Sequence, residues 1–278
     1  MKQPNSTTAP VHPSRSKGDR TEGRKRLNPK LPHTEQHEPQ RLNKLMAAKG
    51  ICSRREADYF IEQGCVLVNG QPITELGAKF SPNCNIELRP RAKKALSKQV
   101  TILYHKPIGI VSGQPEGKYK SALEMIHAGN QFKQDNEQSF SPAMLKGLAP
   151  AGRLDIDSTG LLVLTQNGQT ARQLIDEHST VEKEYLVRVE GTGIHNALER
   201  LRFGLMLDGQ PLKPAQVDWQ NEDQLRFILT EGKKRQIRRM CDAVGFKVTG
   251  LKRVRIGQIR LSHLPVGQWR LLKYSEMF

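Results

Sequence analysis

Gly152-Arg153-Leu154-Asp155-Ile156-Asp157-Ser158-Thr159-Gly160 lies between an Ala-Pro-Ala segment and the apolar run Leu161-Leu162-Val163-Leu164-Thr165. Glycines at both ends, with Asp and Ser between them, favour a bend, and the apolar run reads as a strand. A carboxylate held on such a bend beside a cation is suited to act on an electron-poor centre. Two further segments carry reactive side chains. One is Lys183-Glu184-Tyr185-Leu186-Val187; the other is Glu231-Gly232-Lys233-Lys234-Arg235-Gln236-Ile237-Arg238-Arg239-Met240-Cys241. Taken singly, each has an ordinary explanation. Asp155 fits a turn, Asp157 or Ser158 a cap, Tyr185 the core side of a strand, and Arg238 with Arg239 a solvated helix face or phosphate contacts. Successive helical side chains point about 100° apart, so only one of the two arginines can face the bend.

The partner of this chemistry is a polyanion. The chain has 278 residues and a formal net charge of +16. Residues 1–40 contribute +4, leaving +12 on the remainder, so the folded body is itself basic. Such a body attracts phosphate backbones through counterion release. Residues 1–40 are rich in Pro, Ser, Thr, His and charge, cannot offset their ordering entropy, and read as a disordered basic arm. They lack the apolar stretch of a secretion signal, and no run of about 18 apolar residues exists, so neither export nor a membrane partner is expected. Cys52, Cys65, Cys84 and Cys241 form no C-x-x-C pair and read as reduced thiols of a cytoplasmic protein. His105, His127, His178, His195 and His263 are scattered without metal spacing, and no glycine-rich phosphate loop occurs, so no cofactor or metal is expected.

The elements that must position these residues fall into two groups. Leu42, Leu45 and Met46 recur at helical spacing in 41–49, and Gly50 ends that helix. Ser53 and Glu56 form a capping box for a second helix, 54–63, with Ala57, Phe60 and Ile61 on its apolar face. Val66-Leu67-Val68, the turn Asn69-Gly70 and Ile86-Glu87-Leu88 make a small hairpin module. Residues 91–99 read as a basic linker. A second domain, 100–278, begins with a strand at 100–104, a turn at Lys106-Pro107-Ile108-Gly109 and more strand at Ile110-Val111. Residues 129–144 read as an exposed loop. Strands at 185–189, 226–229, 255–259 and 269–272 and a helix at 236–243 complete an α+β domain with a mixed, mostly antiparallel sheet.

Arg41-Leu42-Asn43-Lys44 and Gly50-Ile51-Cys52-Ser53-Arg54-Arg55-Glu56-Ala57, followed by Val66-Leu67-Val68-Asn69-Gly70, resemble an S4 RNA-binding domain over 41–90. The three reactive segments resemble, in order and spacing, the active-site motifs of the RsuA/RluB/RluE/RluF family of rRNA pseudouridine synthases, nearest to its RluF-type, 23S-directed branch. The resemblance covers about 41–275. It implies that Asp155 is the catalytic carboxylate, attacking sugar or base; that Arg238 ion-pairs with it; and that Tyr185 stacks on the target base and accepts the C5 proton. It also implies that Arg153 helps extrude the nucleotide, that Leu154, Ile156 and Ile237 flank the site, and that Lys234, Arg235 and Gln236 contact RNA. Arg41, Lys44, Arg54 and Arg55 would meet RNA phosphates from the S4 module. The implied partner of this monomer is 23S rRNA, with a tRNA anticodon uridine as an additional candidate. The small-subunit synthases carry His where this chain has Arg235, which ranks them second. A non-catalytic ribosome-assembly protein would not need a carboxylate facing its polyanionic ligand.

Overall fold

The computed structural model describes residues 38–115, 117–133 and 138–278. The expected arm therefore lies outside the described residues up to 37, as do 134–137 of the expected loop. Residues 38–278 form one compact unit.

The S4-like part follows from its local signals. Its helices are Leu42–Ala48 and Arg54–Glu62. Glu56 N–H donates to Ser53 Oγ at 3.3 Å and Ser53 N–H to the Glu56 carboxylate at 2.7 Å, completing the capping box. Asn69 (φ 50°) and Gly70 (φ 79°) both occupy the left-handed region, as a two-residue hairpin between twisted strands requires. Val66–Val68 is thus paired on one side with Gln71–Ile73 and on the other with Ile86–Leu88. Leu42, Leu45, Met46, Ala57, Phe60 and Ile61 close the core beneath. The expected linker 91–99 proves to be mostly helix, Pro90–Ser97. Proline presets the first turn; Ala92 is buried and Leu96 packs on the same core, while Arg91, Lys93 and Lys94 stay in solvent. Charge hid the four-residue apolar spacing.

The larger part is built on a nine-stranded sheet. Its main path runs Gln216–Trp219, Gln224–Leu229, Lys183–Glu190, Lys247–Ile256, Thr159–Thr165, Thr101–Lys106, Trp269–Leu271. Every pairing on that path is antiparallel except Lys247–Ile256 with Thr159–Thr165, which is parallel. Alternation sends Ile102, Tyr104, Leu162 and Leu164 into one core and Leu103, Leu161 and Val163 into another, on opposite faces. That is why 161–164 reads as an unbroken apolar run.

Three expectations change here. The first strand runs to Lys106, and the strand expected at Ile110-Val111 is only a single bridge from Val111 to Ser121. The loop 129–144 is anchored where described: Met144 is buried, and Phe140 meets Trp269 edge-on at 6.0 Å. Helices Gly168–Ile175 and Ala197–Arg202 were not foreseen. The first of them carries the S4 module. Arg172 donates to the Ala47 carbonyl at 3.3 Å, and the Gln169 side chain donates to the Gly50 carbonyl. A Cβ on Gly168 would overlap Ser53 Cβ, so only glycine permits this approach.

Gly160 imposes a similar constraint at the centre of the sheet. It pairs with Arg253, its φ is +112°, and a Cβ there would overlap the Arg253 carbonyl oxygen and stand 2.6 Å from its nitrogen. We predict that Gly160→Ala costs about 3 kcal/mol, from strain at positive φ and displacement of the neighbouring strand. Chemical denaturation measures this; a loss below ~0.5 kcal/mol would mean that the strands separate freely.

Candidate active site

The segment 153–157 leaves the sheet as a loop, and its carbonyls are each met by a different donor. Arg253 Nη1 donates to Arg153 O at 3.2 Å, and Ser112 Oγ to Leu154 O at 2.7 Å. Ser158 N–H donates to Asp155 O at 3.1 Å, Gly109 N–H to Ile156 O at 2.8 Å, and Arg238 Nη2 to Asp157 O at 2.9 Å. Ser112 Oγ also accepts from Leu154 N–H at 2.9 Å. Unpaired buried backbone groups would cost about 1–3 kcal/mol each, so these donors fix the loop.

The two carboxylates of the loop differ. Asp157 is ion-paired: Arg235 grips both of its oxygens at 3.2 and 3.0 Å, and Arg238 Nε lies 3.2 Å from Oδ2. Partial burial would raise the Asp157 carboxyl, but the Arg235 hydrogen bonds and the Arg238 charge outweigh it and hold the group below the usual carboxylate range. Asp155 makes no ion pair among the described residues. The expected Arg238–Asp155 pair is therefore corrected to Arg238–Asp157. The turn closed by Ser158 presents the carbonyl and the carboxylate of residue 157 together to helix Gln236–Asp242. The neighbouring arginine goes elsewhere: Arg239 grips Asp208 at 2.9 and 2.7 Å.

Behind the loop sits Lys106, wholly buried, with Nζ donating to Pro107 O at 2.9 Å and Ile110 O at 2.8 Å. Its own carbonyl accepts from Thr159 Oγ1 at 2.7 Å, tying it to the far end of the loop. Burial pushes its ammonium down to about 8, against the pull of Asp157 and Asp155. Tyr185 lies on Lys183–Glu190, two positions in the sheet from Thr159–Thr165, the strand that follows the loop. Its cross-strand partners are Phe227 and Arg253, and the Arg253 guanidinium carbon is 5.9 Å from its ring centroid.

The remaining expected residues divide by burial. Arg153, Lys234, Arg235, Arg41, Lys44, Arg54 and Arg55 are exposed, and Ile156 is half-buried. Leu154, Gln236 and Ile237 are buried and support the site from beneath. Gln236 accepts from Lys233 N–H and donates to Glu231, both at 2.8 Å, which shapes the loop before the helix. Sequence reading missed Lys106, Ser112 and Arg253. The signal for the first and last was present: a cation closing an apolar strand, and one two residues after Leu251 on its core side. The four cysteines are buried free thiols. Among the described residues no group of His, Cys, Asp and Glu is placed to hold a metal ion, and no helix is long and apolar enough to cross a membrane.

Lys106 yields a pH prediction. Between about 8 and its ordinary value of 10.5 the folded chain has released a proton that the unfolded chain retains. Stability then rises with pH across that window. The melting temperature of the wild type relative to Lys106→Met should climb between these values; a difference independent of pH would mean that Lys106 titrates normally.

Residues 100–243 match the family model for RNA pseudouridylate synthase, and 40–83 match the S4 domain. The dual-specificity RNA pseudouridine synthase RluF of Escherichia coli (strain K12) is 34% identical over 242 residues, covering 85% of this chain and 77% of the relative. Ribosomal large subunit pseudouridine synthase B of Bacillus subtilis (strain 168) is 31% identical over 244 residues, covering 86% and 94%. A crystal structure of a pseudouridylate synthase superposes with a TM-score of 0.58 at 27% identity, covering 85% of this chain and 97% of the other. The catalytic part and the S4 module thus have their counterparts in known proteins, and the chain belongs to the RNA pseudouridylate synthases, in the S4-bearing RsuA/RluB/RluF group.

Proposed function

We propose that this enzyme isomerises a uridine of 23S rRNA, in the cytoplasm, with Asp155 as the attacking carboxylate. A tRNA anticodon uridine is the additional candidate. The reaction breaks C1′–N1, turns the base, forms C1′–C5, and moves the C5 proton away while N1 gains one. Atoms and electrons balance without an oxidant or a reductant. The observation that carries the reading is the contrast between the carboxylates: Asp157 is held by two arginines, whereas Asp155, on the same fixed loop, has no partner among the described residues. That carboxylate lies within electrostatic reach of Lys106 and Arg235 and is free to attack C1′ or the base C6.

The other roles follow from place. Tyr185 stacks on the flipped base and accepts the proton from C5. Exposed Arg153 fills the gap left by the extruded nucleotide. Lys234 and Arg235 meet the RNA backbone at the rim, with Arg235 also holding Asp157. Arg238 serves by fixing the loop through Asp157. The exposed Arg41, Lys44, Arg54 and Arg55 of the S4 module dock the RNA at phosphates.

Asp155→Asn should lower pseudouridine formation by about 10⁴-fold or more while RNA affinity stays within a few-fold. Asp157→Asn, which loosens the loop but spares the nucleophile, should lose roughly 10²-fold. Mapping of pseudouridines in rRNA and tRNA from cells carrying each variant reads both; modification surviving in Asp155→Asn would overturn the assignment. Separately, Arg54→Glu with Arg55→Glu should weaken RNA binding and flatten the dependence of log K on log salt by about one for each phosphate that is no longer neutralised. An unchanged slope removes the docking role.

A further inference from the structure

Arg253 has properties that strand packing does not require. Its backbone lies between the two strands that carry the site, paired with Gly160 on one side and Tyr185 on the other. The residue is only 4% exposed and sits on the core-facing side of its strand, where Leu251 precedes it. Nε donates to Leu161 O at 2.8 Å, just beyond the loop, and Nη1 to Arg153 O at 3.2 Å, just before Asp155. The same guanidinium lies against the ring of Tyr185. Nη2 is buried and has no partner, and no carboxylate pairs with the group among the described residues.

Burying a cation without a counter-ion is costly. Burial depresses the ammonium groups of Lys106 and Lys183, and the Arg253 charge adds to it in both. What the arrangement supplies is geometric. The planar fork meets carbonyls on both sides of Asp155 while its central carbon stands over the Tyr185 ring, and no lysine could do this with a single head group.

We propose that Arg253 is a positioning residue of the isomerising site, holding the Asp155 loop and the Tyr185 ring in one fixed relation so that attack and removal of the C5 proton share a single geometry. The inference rests on the roles given to Asp155 and Tyr185 above. A misplacement of about 1 Å between such groups lowers rate by roughly 10²-fold without removing binding contacts. The deficit should therefore fall on turnover and on the proton-removal step, not on RNA affinity.

The test uses the full chain and rRNA transcripts labelled at uridine C5, with tritium for release into solvent and deuterium for the isotope effect. Arg253→Met should lower turnover at saturating RNA by about 100-fold, leave KM and Kd within about threefold, and raise the isotope effect above the wild-type value. Arg253→Lys, which keeps the charge and the stem but reaches one carbonyl only, should behave similarly; it replaces the Met variant if that one does not fold. Turnover close to that of the wild type, rescue by Lys, or a loss confined to KM with an unchanged isotope effect overturns the inference. Asp155→Asn is run alongside. If it stays active, the assignment of Asp155 has failed; if it is dead while Arg253 variants are active, only the role of Arg253 has failed.

Discussion

A loop held against the protein body must satisfy its own backbone. Five successive carbonyls, 153 to 157, accept from Arg253, Ser112, Ser158, Gly109 and Arg238. Four of these donors come from outside the loop, and they belong to three separate stretches of chain. Buried carbonyls left unpaired would make the loop collapse or swell with water. The order of elements in the sheet follows from this need. The Arg253 strand must run beside the strand after the loop, and only a glycine at 160 lets it approach.

Charge is separated along the same lines. The sheet face beneath Tyr185 carries cations in excess, because Asp157 is already committed to Arg235 and Arg238. The opposite face of the Tyr185 strand is balanced. There buried Glu184 accepts from Arg226 at 2.8 Å and Arg255 at 2.6 Å, and Arg255 reaches Glu182 at 3.0 Å. Burial would raise the Glu184 carboxyl, but these arginines hold it below the usual range. A strand neutral on one side and positive on the other is rigid where it needs no ligand and attractive to anions where it does.

Much of this was legible in the sequence because local signals and spacing are physical. The capping box at Ser53, the Asn69-Gly70 turn and the apolar run 161–165 each specify one conformation whatever surrounds them. The motif order nominated Asp155, Tyr185 and Arg238 for one site, and the structure sets Arg238 against Asp157. What could not be read were choices between near-equal partners. Asp155 and Asp157 are two residues apart and chemically identical, and only the turn geometry decides which meets Arg238. Charge content also misled. It made helix Pro90–Ser97 look like a linker, and it hid the fact that Lys106 and Arg253 point into the protein.

The S4 module shows how one capping interaction can serve two purposes. Ser53 and Glu56 cap the helix that presents Arg54 and Arg55, and the same Glu56 carboxylate accepts from Gln99 at the entry to the catalytic part. Ser53 is also the residue against which Gly168 is packed, at the start of the helix that follows the apolar strand of the site. The arginines that would meet RNA are thus referred, through one helix N-terminus and one glycine contact, to the sheet that holds Asp155. A flexible tether would raise local RNA concentration but leave the target nucleotide unaligned. A module seated on the catalytic part instead holds Arg54 and Arg55 in a fixed relation to the loop of Asp155.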